Sequence, residues 1–268
     1  MSSLREQDPA VALPEFDYEM SVRGWTVFPN VVPLDLCIRM REDIQRHVER
    51  CGSLQAKAGI SGAPDGTAHH AVGGNDSLDD FLERGFLRTY IARFFEGPYI
   101  LHAFNPVTIA PRQRNYVHRR HKDVRTHTGP FRMVLNMLVM VDEFTLDNGA
   151  TYILSGSHRE PSPPPDIVFD RFAERITGPI GTVVLFDSNV WHAAGENVSE
   201  RVRVALTLSL SRPFLKPQMD YARLLGPDRR GSFSDELQQL LGYKAQVATT
   251  IDEWYQPAGS RMYDPDQG

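Results

Sequence analysis

The chain has 268 residues, 41% of them hydrophobic and 10% aromatic, with a formal charge of −5; this length suits one all-β barrel or sandwich with a sizeable core, and the mild acidity argues against a phosphate-binding nucleic-acid surface. Its two cysteines, Cys37 and Cys51, fall in or beside one predicted helix, so neither a disulfide framework nor a four-sulfur zinc site is available and a reducing, cytoplasmic setting is expected. Residues 1–14 carry charges and prolines in place of an apolar signal core, no run approaches the roughly 18 apolar residues of a membrane span, and the terminal Asp-Gln-Gly is no peroxisomal address.

After this polar leader, Gly24-Trp-Thr-Val-Phe-Pro reads as a short strand, and residues 33–50 place Leu34, Cys37, Ile38, Ile44 and Val48 at helical spacing. Residues 52–77 are rich in Gly, Ala, Ser and Asp, which predicts a mobile loop suited to an active-site lid. A second helix is expected over 78–95, where Phe81, Leu82, Phe86, Leu87, Tyr90, Ile91, Phe94 and Phe95 make a wide apolar face. From Tyr99 the period becomes that of strands, at 99–104, 107–110, 115–124, 131–142, 150–154, 181–193 and 201–211. Segment 159–178 carries Pro161, Pro163, Pro164 and Pro165, which cannot join a central ladder, and reads as an insert. Helical spacing returns over 219–242. The reading is one domain, mainly β with flanking helices: a helical part over 1–98, a jelly-roll, cupin-like core over 99–213 and a C-terminal helical segment over 214–268.

In the predicted strand 115–124, His121 and Asp123 stand two apart, which puts both side chains on one face. One imidazole, one carboxylate and a distant second imidazole make the facial triad of non-haem iron(II) oxygenases, with positions left for co-substrate and dioxygen. A His-x-Asp tripeptide is common and by itself reads more readily as an exposed strand end; what favours a metal site is Trp191-His192, which offers the third ligand. Residues 191–203 read as strand, loop and returning strand, and a hairpin centred between Asn197 and Val198 sets His192 directly opposite Arg203. The returning strand alternates Val202, Val204, Leu206, Leu208 and Leu210 against Arg201, Arg203, Ala205, Thr207, Ser209 and Ser211. The second face suits a pocket, where an arginine grips a dicarboxylate by a two-pronged, charge-assisted contact; a solvated strand charge is the plain alternative.

Taken together, these residues give a chain that resembles the phytanoyl-CoA dioxygenase (PhyH) family of iron(II)- and 2-oxoglutarate-dependent oxygenases. The resemblance covers most of 16–257 and rests on the Gly24-Trp-Thr-Val-Phe-Pro strand and the helix after it, His121-Lys-Asp123, the run Asp147-Asn-Gly-Ala-Thr-Tyr-Ile-Leu-Ser-Gly-Ser-His158, and Trp191-His192 with Arg203 eleven residues on. It implies a double-stranded β-helix, iron(II) on His121, Asp123 and His192, the distal carboxylate of 2-oxoglutarate on Arg203, and dioxygen as oxidant, with release of succinate and carbon dioxide. Thr151 matches the threonine of the family's Asn-Gly-Ala-Thr turn, where a hydroxyl can support the same carboxylate; a turn residue satisfied by backbone is the other reading. His118 matches a position that related enzymes place near the co-substrate's other carboxylate, but strand parity turns it away, so that role requires an irregular approach to the strand. Halogenating relatives have Ala or Gly where Asp123 stands, which disfavours halogenation.

The expected outcome is hydroxylation of an unactivated C–H bond in a small-molecule metabolite, with specialised-metabolite biosynthesis as one setting. Arg112, Arg114, Arg119, Arg120, Lys122 and Arg125 crowd the metal motif and could draw an anionic substrate, although solvated strand edges explain them equally well. Arg125 and His127 are the first candidates for substrate contacts, followed by Asn136 and Trp191, a tryptophan being at least as apt to pack in a core. His158 and the pair His69-His70 receive no ligand role. Two other readings use the same residues: a zinc hydrolase on a cupin-like barrel, in which Arg203 has no task, and a non-enzymatic jelly-roll binding protein.

Overall fold

The computed structural model describes residues 9–60, 66–114 and 116–267; the first eight residues of the polar leader, residues 61–65 of the predicted loop, Asn115 at the head of the predicted strand 115–124, and Gly268 lie outside the described residues. The leader ends in a helix that was not expected, α1 (Pro9–Val22), whose Ala12, Phe16 and Met20 recur every four residues and are buried. Strand β1 (Trp25–Phe28) and helix α2 (Leu34–Lys57) follow, the helix running past the predicted end at residue 50 and burying Leu36, Cys37, Met40 and Ile44. The helix expected over 78–95 is two helices, α3 (Ser77–Arg84) and α4 (Arg88–Phe95). Gly85, with φ of 56°, closes α3 in the left-handed conformation that glycine adopts without steric cost.

The described part of the predicted lid, from Gly66 on, lies along a sheet edge instead. The amides of Ala68 and Ala71 donate to the carbonyls of Pro106 and Phe104, and that of Thr108 donates to Gly66. These residues extend the edge of β2 (Ile100–Ile109), which joins two predicted strands through Pro106. Because the Pro106 carbonyl faces the 66–71 segment, its missing N–H falls on the same outer side and costs the ladder to the inner neighbour nothing.

The remaining strands are β3 (Val134–Met140), β4 (Thr151–Ile153), β5 (Glu174–Ile176), β6 (Val183–Asp187), β7 (His192–Ala193) and β8 (Arg203–Ser211). Three expectations need correction. The described residues of the predicted strand 115–124 form no continuous strand: Tyr116–His118 is a 3-10 turn, and His121 makes an isolated bridge to His192. The run 181–193 is two strands, parted by a turn in which the Asp187 carboxylate accepts from the Asn189 amide. The insert 159–178 contains helix α5 (Asp166–Phe172) and ends in β5, which pairs with β4 at a sheet edge, as its prolines allow only outside a central ladder. After β8, the helical spacing of 219–242 becomes α6 (Tyr221–Leu225) and α7 (Asp235–Leu240), separated at Gly226-Pro227.

Two antiparallel sheets result, a major one in the order β1-β6-β3-β8-β2 and a minor one in the order β5-β4-β7. The jelly-roll expectation holds: Leu138, Met140, Val184 and Ala205 of the major sheet pack against Ile153 and Ile176 of the minor sheet. The other face of the major sheet, with Leu135, Met137, Val139, Leu206, Leu208 and Leu210, is covered by α1 to α4 and the C-terminal helices. The alternation read in the returning strand therefore assigns its two faces correctly. Among the described residues no helix is long and apolar enough to cross a membrane.

Candidate metal and co-substrate site

At one end of the space between the sheets, a carboxylate oxygen of Asp123 and one nitrogen each from His121 and His192 lie within 4.8 Å of one another, close enough to share an ion. The backbones of His121 and His192 exchange both N–H···O bonds, at 3.0 and 2.9 Å, so the two rings leave the same side of the chain and their centroids are 4.3 Å apart. Nδ1 of His121 is 2.7 Å from the Arg119 carbonyl, and Nδ1 of His192 is 3.0 Å from the Val190 carbonyl. A carbonyl can only accept, so both Nδ1 atoms carry the proton and both Nε2 lone pairs are left for a metal. Those Nε2 atoms are 3.5 and 3.8 Å from the two oxygens of Asp123. Burial pulls the His192 imidazole below its usual pKa range and keeps it neutral. Desolvation also pulls His121 down, but the Asp123 carboxylate outweighs it and the net shift is upward; Asp123 itself, although desolvation opposes this, is held low by the two histidines and Asn136.

Behind Asp123, the Asn136 amide donates to Oδ2 at 2.7 Å and accepts the Ser209 hydroxyl at 2.7 Å. Asn136 is 3% exposed, and both its polar ends are used within the protein. The expectation that it meets substrate is therefore corrected: it orients the carboxylate.

Arg203 sits 4% exposed on β8, with its guanidinium 3.9 Å from the centre of the Phe144 ring and one Nη donating to the Gly149 carbonyl at 2.5 Å. Its Nε is buried with no partner, and among the described residues it has no ion pair. The nearby Asp142 carboxylate is engaged by Arg41 at 3.0 Å and by the Val204 amide at 2.8 Å. Burial accordingly pulls the Arg203 pKa down to about 9. The predicted hairpin pairing is wrong: Arg203 lies opposite Ile109 of β2, and His192 opposite Ile153 of β4. Residues 194–202 cross from one sheet to the other, held by Asn197, whose amide donates to the carbonyls of Ile109 and Arg201. Both residues still face the intersheet space, because His192 shares a face with Ile153 and Arg203 shares one with Ala205, both members of that core.

The family model for phytanoyl-CoA dioxygenase (PhyH) matches residues 21–205, which contain the whole metal cluster and Arg203. The chain belongs to the phytanoyl-CoA dioxygenase family. It is an iron(II)- and 2-oxoglutarate-dependent dioxygenase, with dioxygen as the third reactant. An uncharacterised protein of Mycobacterium tuberculosis is 35% identical over 187 residues, 70% of this chain and 67% of its own. Dioxygenase trt7 of Aspergillus terreus is 26% identical over 222 residues, 78% of this chain and 76% of its own. Two solved structures share the fold. EctD from S. alaskensis has a TM-score of 0.63 at 17% identity, over 81% of this chain and 82% of its own. The epimerase SnoN, in complex with Fe3+, alpha ketoglutarate and nogalamycin RO, has a TM-score of 0.60 at 14% identity, over 85% of this chain and 94% of its own.

Around the dioxygenase centre the other expected residues divide. Thr151 lies on the interior face of β4, in line with Ile153. His118 lies in the 3-10 turn, half-buried, so the approach to His121 is irregular. Arg125 is exposed and close enough to oppose protonation of His121; His127 is half-buried, with Nδ1 lacking a partner. Trp191 points the other way from His192 and packs with Leu154, Phe169 and Ala193 on the outer side of the minor sheet, so its proposed substrate contact is withdrawn. Half of the basic cluster is ion-paired: Arg112 pairs with Glu200, Arg114 with Glu196, and Arg120 with Asp166 and Asp170, while Lys122 is buried with its Nζ unpartnered among the described residues.

Residue order did not reveal His102. A β-bulge between Leu101 and Ala103 inserts it into β2, and it lies within electrostatic reach of Asp123. His69 and His70 stand beside it along the edge segment, His70 bonded through Nδ1 to the Tyr221 hydroxyl at 2.9 Å. Burial lowers the pKa of all three, which favours their neutral forms, and of the three His102 is the one within reach of Asp123.

Proposed function

We propose that His121, Asp123 and His192 hold the iron(II), that Arg203 grips the distal carboxylate of 2-oxoglutarate with support from Thr151, and that the enzyme hydroxylates a C–H bond of a small-molecule metabolite. One observation carries this reading: among the described residues Arg203 is a buried cation with no ion pair, facing the same interior space as three preset metal-ligand atoms. A buried unpaired charge is costly, and a carboxylate reaching Nε and the free Nη would offset that cost. With iron, 2-oxoglutarate and dioxygen bound, the centre supplies the oxidising chemistry, with succinate and carbon dioxide as co-products. The protein's own tasks are to hold the two Nε2 lone pairs inward, to fix Asp123 through Asn136 and Ser209, and to keep the co-substrate end of the site dry with Phe144 and Ala150. His118 is a candidate contact for the co-substrate's other carboxylate. Arg125 and His127 on one side and His102, His70 and His69 on the other are the candidate substrate walls. Arg112, Arg114 and Arg120 are engaged in ion pairs, whereas exposed Arg125 and the buried Lys122, whose Nζ has no partner among the described residues, are left to meet an anionic group of a substrate. The hydrolase reading gives Arg203 no task, and the binding-protein reading gives none to the three convergent metal-ligand atoms.

The test is anaerobic addition of iron(II) and 2-oxoglutarate, followed by the visible charge-transfer band of the chelate. Wild type develops the band, His192→Ala does not, and Arg203→Ala requires far more 2-oxoglutarate. A wild-type protein without the band would sink the assignment.

A further inference from the structure

On the far side of the major sheet from the iron site, α3, α4 and α7 leave a cavity of about 270 Å3 floored by Met137, Leu208 and Leu210 and walled by Phe81 and Ile91. Its lining is predominantly apolar, so the space is suited to the apolar part of a ligand, with the charged residues left at its mouth. At the mouth stand Arg88, Lys244, Asp235 and Glu236. Lys244 and Asp235 pair with each other at 2.7 Å. Arg88 folds its guanidinium over the α3–α4 corner, where a side chain on Gly85 would collide with it, and donates only to the Glu83 carbonyl at 2.9 Å. Among the described residues it has no ion pair, and it lies close enough to Tyr99 for its charge to act on that hydroxyl.

We propose that this cavity is a second ligand site, for a monocarboxylate with an unbranched apolar chain, whose carboxylate pairs with Arg88 at the mouth while its chain lies on Met137, Leu208 and Leu210. A cavity of about 150 Å3 accepts benzene, so this one accommodates a chain of roughly eight to ten carbons. The floor residues alternate along β3 and β8 with Asn136 and Ser209, which point to the opposite face and orient Asp123. An occupant therefore presses on the strands that support the iron site.

The test is calorimetric titration of the intact protein with octanoate, with 1-octanol as the uncharged comparison, before and after saturation with iron(II) and 2-oxoglutarate. Octanoate binds at one site in both states and about tenfold more tightly than octanol; Arg88→Gln removes that preference, and Leu240→Trp, which fills the mouth, removes binding of both. Saturating octanoate also changes the apparent iron(II) affinity of wild type at least about twofold, and leaves that of Leu240→Trp unchanged. Absence of saturable binding, loss of binding once the iron site is filled, or equal binding by the two variants and wild type would overturn the proposal. None of these readouts depends on whether Arg203 binds 2-oxoglutarate.

Discussion

At the scale of single residues the site is a set of preset orientations. Each histidine spends Nδ1 on a carbonyl two residues back, and Asp123 spends one oxygen on Asn136, so three free donors remain where a metal can meet them. Removing the support without touching a ligand should loosen the metal: Asn136→Ala is expected to weaken iron(II) binding about ten- to a hundredfold in an anaerobic titration, and Ser209→Ala to do so less. Unchanged affinity in Asn136→Ala would deny it a positioning role. Protons compete with the metal for Nε2, and the net upward shift of His121 makes that competition begin at higher pH than for a free imidazole. Iron(II) affinity measured between about pH 8 and 5.5 should therefore fall with acidity, by about tenfold or more. The cysteines provide a separate check. Both are free, and burial pushes the Cys37 thiol up to about 11. Iodoacetamide at neutral pH should alkylate Cys51 and spare Cys37, as read by peptide mass.

At the scale of elements, short irregular pieces carry the function and the regular strands carry the load. The bridge at His121, the two-residue strand β7 and the turn at 147–150 bring the site residues together, while β3 and β8 supply a rigid wall. Gly149 shows the dependence. It has a φ of 90°, a side chain there would lie 2.8 Å from the Gly195 carbonyl, and its own carbonyl accepts from Arg203. Gly149→Ala should therefore raise the 2-oxoglutarate concentration needed for half-maximal chelate band several-fold, with iron binding nearly unchanged. A loss confined to iron affinity would detach this turn from the co-substrate.

At the scale of the whole molecule, the proposed role of the buried Arg203 would link stability to ligation. Without a co-substrate the fold keeps a guanidinium whose pKa burial has drawn down to about 9. Binding at about a hundredfold above Kd adds roughly 2.7 kcal/mol, which for a domain of this size is a rise of roughly 5–10 °C in melting temperature. Wild type with iron(II) and 2-oxoglutarate should show that rise. Arg203→Met, which replaces an unpaired buried charge by a side chain of similar bulk, should melt no lower than ligand-free wild type and gain nothing from 2-oxoglutarate. A variant that still gained the full increment would remove Arg203 from the co-substrate site.

Residue order alone determined the chemistry-bearing residue types, the strand-rich middle, the two faces of β8 and the helices along α2, because these follow from local periodicity and from side-chain chemistry. It also carried the family, through motifs far apart in the chain. Tertiary structure decided what pairs with what. His192 and Arg203 looked like hairpin partners because a short loop lies between them, but the chain crosses between sheets there, since the Asn197 amide is satisfied by carbonyls on both sides of the crossing. Asn136 looked available to substrate until packing set it behind Asp123, and Trp191 until strand parity turned it outward. His102 became visible only through a bulge, a one-residue irregularity that no periodicity encodes. The three candidate metal ligands and Arg203 were legible as residues; the supports behind Asp123 and the true strand partners of His192 and Arg203 depend on contacts between segments distant in the chain, which only the packed sheets bring together.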